Sequence, residues 1–151
     1  MTDPEELRPM TEVLFEAQPG RILVGRLAKG SDLMAEIERI CAERDIRAAW
    51  VSAIGAVSHS AYAYYEQDDH RYLELSSDTH HEIAGFVGNI SMRDGKQFLH
   101  AHGTFADASG SCVGGHLLRG ITVFVGEFTI RELTGVDLER THQDEFGLAL
   151  W

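Results

Sequence analysis

His100 and His102 stand two residues apart in Phe98-Leu99-His100-Ala101-His102-Gly103, and His116 follows in Gly114-Gly115-His116-Leu117. On a β-strand, residues i and i+2 share a face, so the first two imidazoles are presented side by side while Ala101 points away. Asp107-Ala108-Ser109-Gly110 lies between the two segments and reads as a hairpin turn. If that hairpin pairs Asp107 with Ser111, His102 stands directly opposite His116, at the ~5 Å spacing of cross-strand neighbours. Three neutral imidazoles then converge, which suits Zn2+ first and Ni, Cu or Fe as other divalent choices, with one position left for water or a small ligand. A slip of one residue turns His116 to the opposite face, and Gly114-Gly115 is a place where a bulge could absorb such a slip. The alternative is that the three rings are surface residues or are satisfied by hydrogen bonds within the sheet.

Two carboxylates are candidates for proton handling beside such a centre. Glu127 falls on one alternating face with Ile121, Val123, Val125 and Thr129, interrupting an apolar row. A carboxylate buried there needs a partner, either a ligating histidine or a cation such as Arg119 or Arg131, unless it sits at the end of the sheet. Glu82, at the head of the strand beginning Glu82-Ile83, has the same two readings. His80 and His81 are adjacent, so a strand turns them to opposite sides and at most one joins a site. Tyr62, Tyr64, Tyr65 and Tyr72 read as strand packing, with a pocket lining as the other choice.

The elements that must position these groups are mostly strands. Glu12 to Glu16 and Arg21 to Leu27 read as two short strands turning at Gln18-Pro19-Gly20. Ser31 or Asp32 caps a helix whose Leu33, Ile37, Ile40 and Cys41 form one apolar stripe, ending near Arg44 or Asp45. Strands then follow at Ala48 to Ile54, Ala56 to Tyr65, near Leu73, Glu82 to Met92, Gln97 to Phe105, Ser111 to Leu118 and Ile121 to Arg131. Asp94-Gly95 marks a further hairpin, since both turn residues accept positive φ. The expected class is α+β: an antiparallel β-sheet domain with one main flanking helix. Residues 1–9 read as a flexible arm, 10–135 as the domain, and 136–151 as an acidic C-terminal extension packing on the domain or on a neighbouring subunit.

Composition narrows the functions. The 151 residues carry 13 Lys+Arg against 24 Asp+Glu, a formal charge of −11, which argues against nonspecific contact with a phosphate backbone. The strongly apolar runs, such as Ile121 to Val125, fall far short of the ~20 residues that span a bilayer. With a charged N-terminal stretch in place of an apolar leader, a cytoplasmic protein without membrane contact is expected. Cys41 and Cys112 are too few for a disulfide scaffold and read as reduced. Phosphate-loop, dinucleotide-turn and nucleophile-elbow motifs do not occur, so nucleotide and serine-hydrolase chemistry lose their usual support.

Taken in order, Arg26-Leu27, the helix from Ser31, Val51-Ser52-Ala53-Ile54-Gly55-Ala56, Glu82-Ile83, Gly88-Asn89-Ile90-Ser91, Leu99-His100-Ala101-His102, Gly114-Gly115-His116-Leu117 and Glu127 resemble the plants-and-prokaryotes conserved (PPC) domain. The resemblance runs from about Arg21 to Arg131, and Phe146-Gly147-Leu148-Ala149-Leu150 looks like the closing segment of bacterial members. It implies a PPC-like sheet with a flanking helix, assembly as a homotrimer, and a metal on the residues matching His100, His102 and His116. It also brings the family's DNA-binding name, which derives from plant members with an AT-hook. No Arg-Gly-Arg-Pro core is present here, and the plant partner motif Gly-Arg-Phe-Glu-Ile-Leu is matched by Thr79-His80-His81-Glu82-Ile83-Ala84 only at Glu82 and Ile83. The favoured expectation is a small trimeric metal-binding protein with an open ligand site. A DNA-associated regulator and a protein-assembly module are the alternatives.

Overall fold

Asp32 starts a helix by accepting hydrogen bonds from two backbone amides, Ala35 at 3.0 Å and Gly120 at 2.6 Å. In the computed structural model, which describes residues 11–151, this helix is α1 (Leu33–Glu43). Its apolar stripe buries Leu33, Met34, Ile37 and Cys41 in one core with Val51, Ile90, Leu99, Ile121 and Ile130. Each fully buried aliphatic side chain of this kind contributes about 1.5–3 kcal/mol. The helix ends at Arg44, and Asp45 adopts φ of 51°, a conformation that aspartate tolerates better than most residues. Burial in this core also pushes the Cys41 thiol up to about 12, so it stays protonated. The first nine residues, expected as an arm, lie outside the described residues.

Around the helix are β1 (Gln18–Leu27), β2 (Ala49–Glu66), β3 (Arg71–Ser77), β4 (His81–Arg93), β5 (Lys96–Ala106), β6 (Cys112–Leu117), β7 (Thr122–Thr134), β8 (Glu139–Gln143) and β9 (Leu148–Leu150). Strand β2 is the spine. One of its edges carries β4 and then β3, the other carries β7 and then β6, and β5 pairs with both β4 and β6. Strands β2, β4, β5 and β6 therefore close on one another, with β7 and β1 continuing outward. Among the described residues the fold is mostly antiparallel β with one short helix, and β8 alone runs parallel to its neighbour, β4.

Several sequence expectations are corrected. Glu12 to Glu16 is not a strand, and the expected turn at Gln18-Pro19-Gly20 is instead the start of one continuous β1. Pro19 is accommodated because β1 is an edge strand, bulged between Pro19 and Ile22. The two strands expected on either side of Gly55 are a single β2, which bends at Gly55 (φ 138°). Opposite that bend Ala56 pairs with Val125 and Val57 with Val123, leaving Phe124 as an extra residue. Beyond Phe124 the alternation of β7 reverses, so Val123 is buried while Val125 and Glu127 are exposed. The expected apolar row through Glu127 does not form. The acidic C-terminal segment supplies β8 and β9, which sequence periodicity does not announce; the Met92 amide donates to the Leu138 carbonyl at 2.8 Å where β8 begins.

Strand β1 is tied to β7 by Arg21, whose backbone and guanidinium nitrogens donate to the Glu132 carboxylate at 2.7–2.9 Å. Those bonds hold the Glu132 carboxyl down to about 2, against an ordinary value of 4.5. Between those values the folded chain binds fewer protons than the unfolded one. The stabilisation is therefore complete above about pH 4.5 and is lost as pH falls toward 2. Thermal unfolding followed from pH 5 to pH 2 should show a shallower acid loss for Glu132→Gln than for the unaltered chain. Coincident slopes would refute the assignment.

Candidate metal centre

The hairpin Asp107 to Gly110 closes as its chemistry dictates: the Asp107 amide donates to the Ser111 carbonyl, and the Asp107 carboxylate accepts from the Ser109 and Ser111 amides. From Cys112 paired with Ala106, the β5–β6 ladder runs without a shift to His116 opposite His102. Gly114 and Gly115 insert no bulge. They are needed for close approach, since a Cβ at Gly114 would lie 2.0 Å from the Gly103 carbonyl oxygen and one at Gly115 2.5 Å from that of Ala63. Gly115 also has φ of 151°. Only glycine lets β6 fit between β5 and β2 at this point.

The ladder brings three rings into one cluster. Centroids are 5.2 Å apart for His100 and His102, 5.0 Å for His100 and His116, and 5.4 Å for His102 and His116. One ring nitrogen from each lies within 4.8 Å of the others. A tetrahedral zinc site with Zn–N of 2.0–2.1 Å needs nitrogens about 3.3 Å apart, so modest ring rotations suffice. His100 and His116 are half-buried, and His102 is exposed. Burial first, then the neighbouring histidine and Arg140, pushes His100 and His116 down to about 4. Both are neutral at pH 7 with a lone pair free for an ion. The donor set fits a divalent transition metal.

Arg140, on β8, closes one side of the cluster. Its guanidinium donates to Ser91 Oγ at 2.7 Å, Asn89 Oδ1 at 2.9 Å and the Ala149 carbonyl at 3.0 Å, and lies 3.5 Å from His100 Nδ1. The last contact is at the outer limit of a hydrogen bond, and it lapses when Nδ1 carries the proton that ligation through Nε2 requires. On the other side the Tyr72 ring rests on His116, with centroids 4.8 Å apart. In the sequence Arg140 is only a lone cation within an acidic tail. Its signal lies in a pairing with β4 that no local pattern announces.

Neither glutamate singled out from the sequence joins this cluster. Glu127 is exposed on β7, paired with Arg26 and Ile54, and lines a groove with Val24 and Thr129. Glu82 is exposed on β4 and pairs with Ala106, four residues beyond His102 on β5, roughly 13 Å at the rise of a strand. His81 is buried, with Nδ1 unpartnered, and His80 is exposed; both line a different cavity.

A family model described as the Plants and Prokaryotes Conserved (PCC) domain matches residues 14–134. A crystal structure of a metal-containing protein from Archaeoglobus fulgidus is 37% identical, with a TM-score of 0.88 over 92% of this chain and 98% of that one. A plant- and prokaryote-conserved protein from Pyrococcus horikoshii is 31% identical, TM-score 0.88, over 92% and 96%. A protein from Ralstonia eutropha, provisionally described as DNA-binding, is 26% identical, TM-score 0.75, over 84% and 88%. A stretch of the bifunctional protein GlmU from a Synechococcus strain is 33% identical over 80% of this chain, which spans only 17% of that relative's length.

Proposed function

The chain belongs to the Plants and Prokaryotes Conserved domain family, and on that premise we propose that it is a homotrimer binding a divalent transition metal, zinc foremost, through His100, His102 and His116. The observation that carries the metal reading is the convergence of three imidazole nitrogens within 4.8 Å on one sheet face. The Archaeoglobus relative, described as metal-containing, supports it. When bound, such an ion supplies a Lewis acid with an exchangeable position, which polarises a ligand oxygen. The chain's own residues neutralise the His100 and His116 imidazoles by burial, set the spacing of the three rings through the β5–β6 ladder, and leave His102 open to solvent.

The trimer has its own support. The sheet face bearing Ile22, Val24, Trp50, Ile54 and Val87 exposes large apolar side chains on β1, β2 and β4, with Ile22 and Val24 more than two-thirds exposed. Exposed apolar side chains clustered on one face, with Glu127, Thr129 and Arg131 of β7 interleaved among them, mark an interaction surface. Elemental analysis of the purified chain, with light scattering in the same preparation, tests both parts. About one zinc or other transition metal per chain and a mass near three chains are expected; a metal-free monomer overturns the proposal.

A second reading, association with DNA, is favoured by the description of the Ralstonia relative. The charge of −11 weighs against it. A mobility shift at low salt decides, and no retarded duplex at micromolar protein is the expected result. No described helix is long and apolar enough to cross a membrane.

A further inference from the structure

Arg140 is only 7% exposed, yet every acceptor it reaches among the described residues is neutral: a hydroxyl, an amide oxygen, a backbone carbonyl and an imidazole. Buried cations are ordinarily matched by anions, because desolvation without a counter-charge is unfavourable. Here the neighbourhood adds positive charge. Arg93 lines the same cavity, and its own carboxylate partner, Asp94, is 3.9 Å away and almost fully exposed. A metal on the three histidines increases the imbalance.

The cavity between Arg140 and the histidines measures about 200 Å³, the share of roughly six or seven water molecules. Its polar lining includes Arg93, His100, His116, Arg140 and His142, and its apolar lining includes Phe98 and Leu148. Since Arg140 Nη1 donates once, to Ala149, one N–H remains for a further acceptor. Both guanidinium groups lie over the Phe98 ring, at 5.2 Å for Arg93 and 5.5 Å for Arg140, so cationic and apolar surface meet in one cavity beside the histidines. That combination suits a small molecule with an anionic oxygen at one end and a carbon skeleton at the other.

We propose that this cavity binds a small organic carboxylate, held at its charged end by Arg140 and Arg93 and reaching the ion on the three histidines. This rests on the metal reading and adds the ligand class to it. Arg140 is the anion-recognition residue, and the β8–β9 hairpin, which contributes Arg140, Leu148 and Ala149, forms the cavity's outer wall.

Lactate serves as the probe, with propane-1,2-diol as its uncharged analogue and inorganic phosphate as the competing anion. The full chain is first loaded with cobalt(II) and its metal content measured. A chain that takes up no metal overturns the reading beneath this proposal; a metal-replete chain that binds no lactate overturns the proposal alone. Lactate should perturb the visible cobalt spectrum and bind by calorimetry at least tenfold more tightly than the diol, and Arg140→Gln should weaken it at least tenfold with metal content unchanged. Equal binding of lactate and diol, or tighter binding of phosphate, overturns the assignment. If Arg140→Gln does not fold, the comparison of lactate with diol on the unaltered chain decides.

Discussion

Replacing His100 and His102 together by alanine is expected to lower bound metal from about one ion per chain to background. The double variant leaves His116 as a single donor, too little to compete with water and buffer for a divalent ion. The fold should survive, because the rings lie outside the core formed by α1 and the inner faces of β2, β4, β5 and β7. Circular dichroism should therefore coincide with that of the unaltered chain. Metal added at roughly a hundredfold excess over its dissociation constant stabilises a folded binder by about 2.7 kcal/mol. For a chain of this size that is a rise in Tm of roughly 5–10 °C. The unaltered chain should show this rise on adding zinc and lose it with a chelator, and the double variant should show neither. A variant that keeps its metal removes the three-histidine assignment.

Gly115→Ala is expected to have a large effect on stability for a small change in mass. The new methyl would sit 2.5 Å from the Ala63 carbonyl oxygen, and the backbone φ of 151° is one that L residues rarely adopt. Overpacking against backbone and a sparsely populated φ/ψ each cost about 1–3 kcal/mol, so a loss of about 3 kcal/mol or more follows. That corresponds to roughly 6–12 °C in Tm by calorimetry. Because relief requires β6 to move away from β2, His116 should leave the cluster and metal affinity should fall with stability. At Gly110, a turn glycine with open space around it, alanine meets only the φ of 81° and should cost less. Comparable Tm losses at the two positions would show that backbone conformation, not the close approach of β6, sets the cost.

The histidine cluster is legible in the sequence because each signal for it is short-range. The i, i+2 spacing of His100 and His102 sets their shared face, and the Asp107 to Gly110 turn sets the register that places His116 opposite. The helix is legible for the same reason: Asp32 and a stripe at helical spacing lie within a dozen residues. The faces of β7 are not. Alternation predicts a side chain's direction only as far as the first bulge, and the bulge at Phe124 exists because β7 must follow β2 through its bend at Gly55. Alternation misplaces Glu127 on that account, and the same bend makes β2 look like two strands.

Residue order was enough to specify the class of the fold, the strand pairing around the Asp107 to Gly110 hairpin, and the three imidazoles that this pairing gathers. Packing in three dimensions settled which way Glu127 faces, that the acidic tail becomes β8 and β9, and that Arg140 is buried beside His100. These depend on contacts between segments distant along the chain, such as Arg140 with Asn89 and Ser91. Such contacts are selected by the closing of the whole sheet and leave no periodicity or turn motif at either end to announce them.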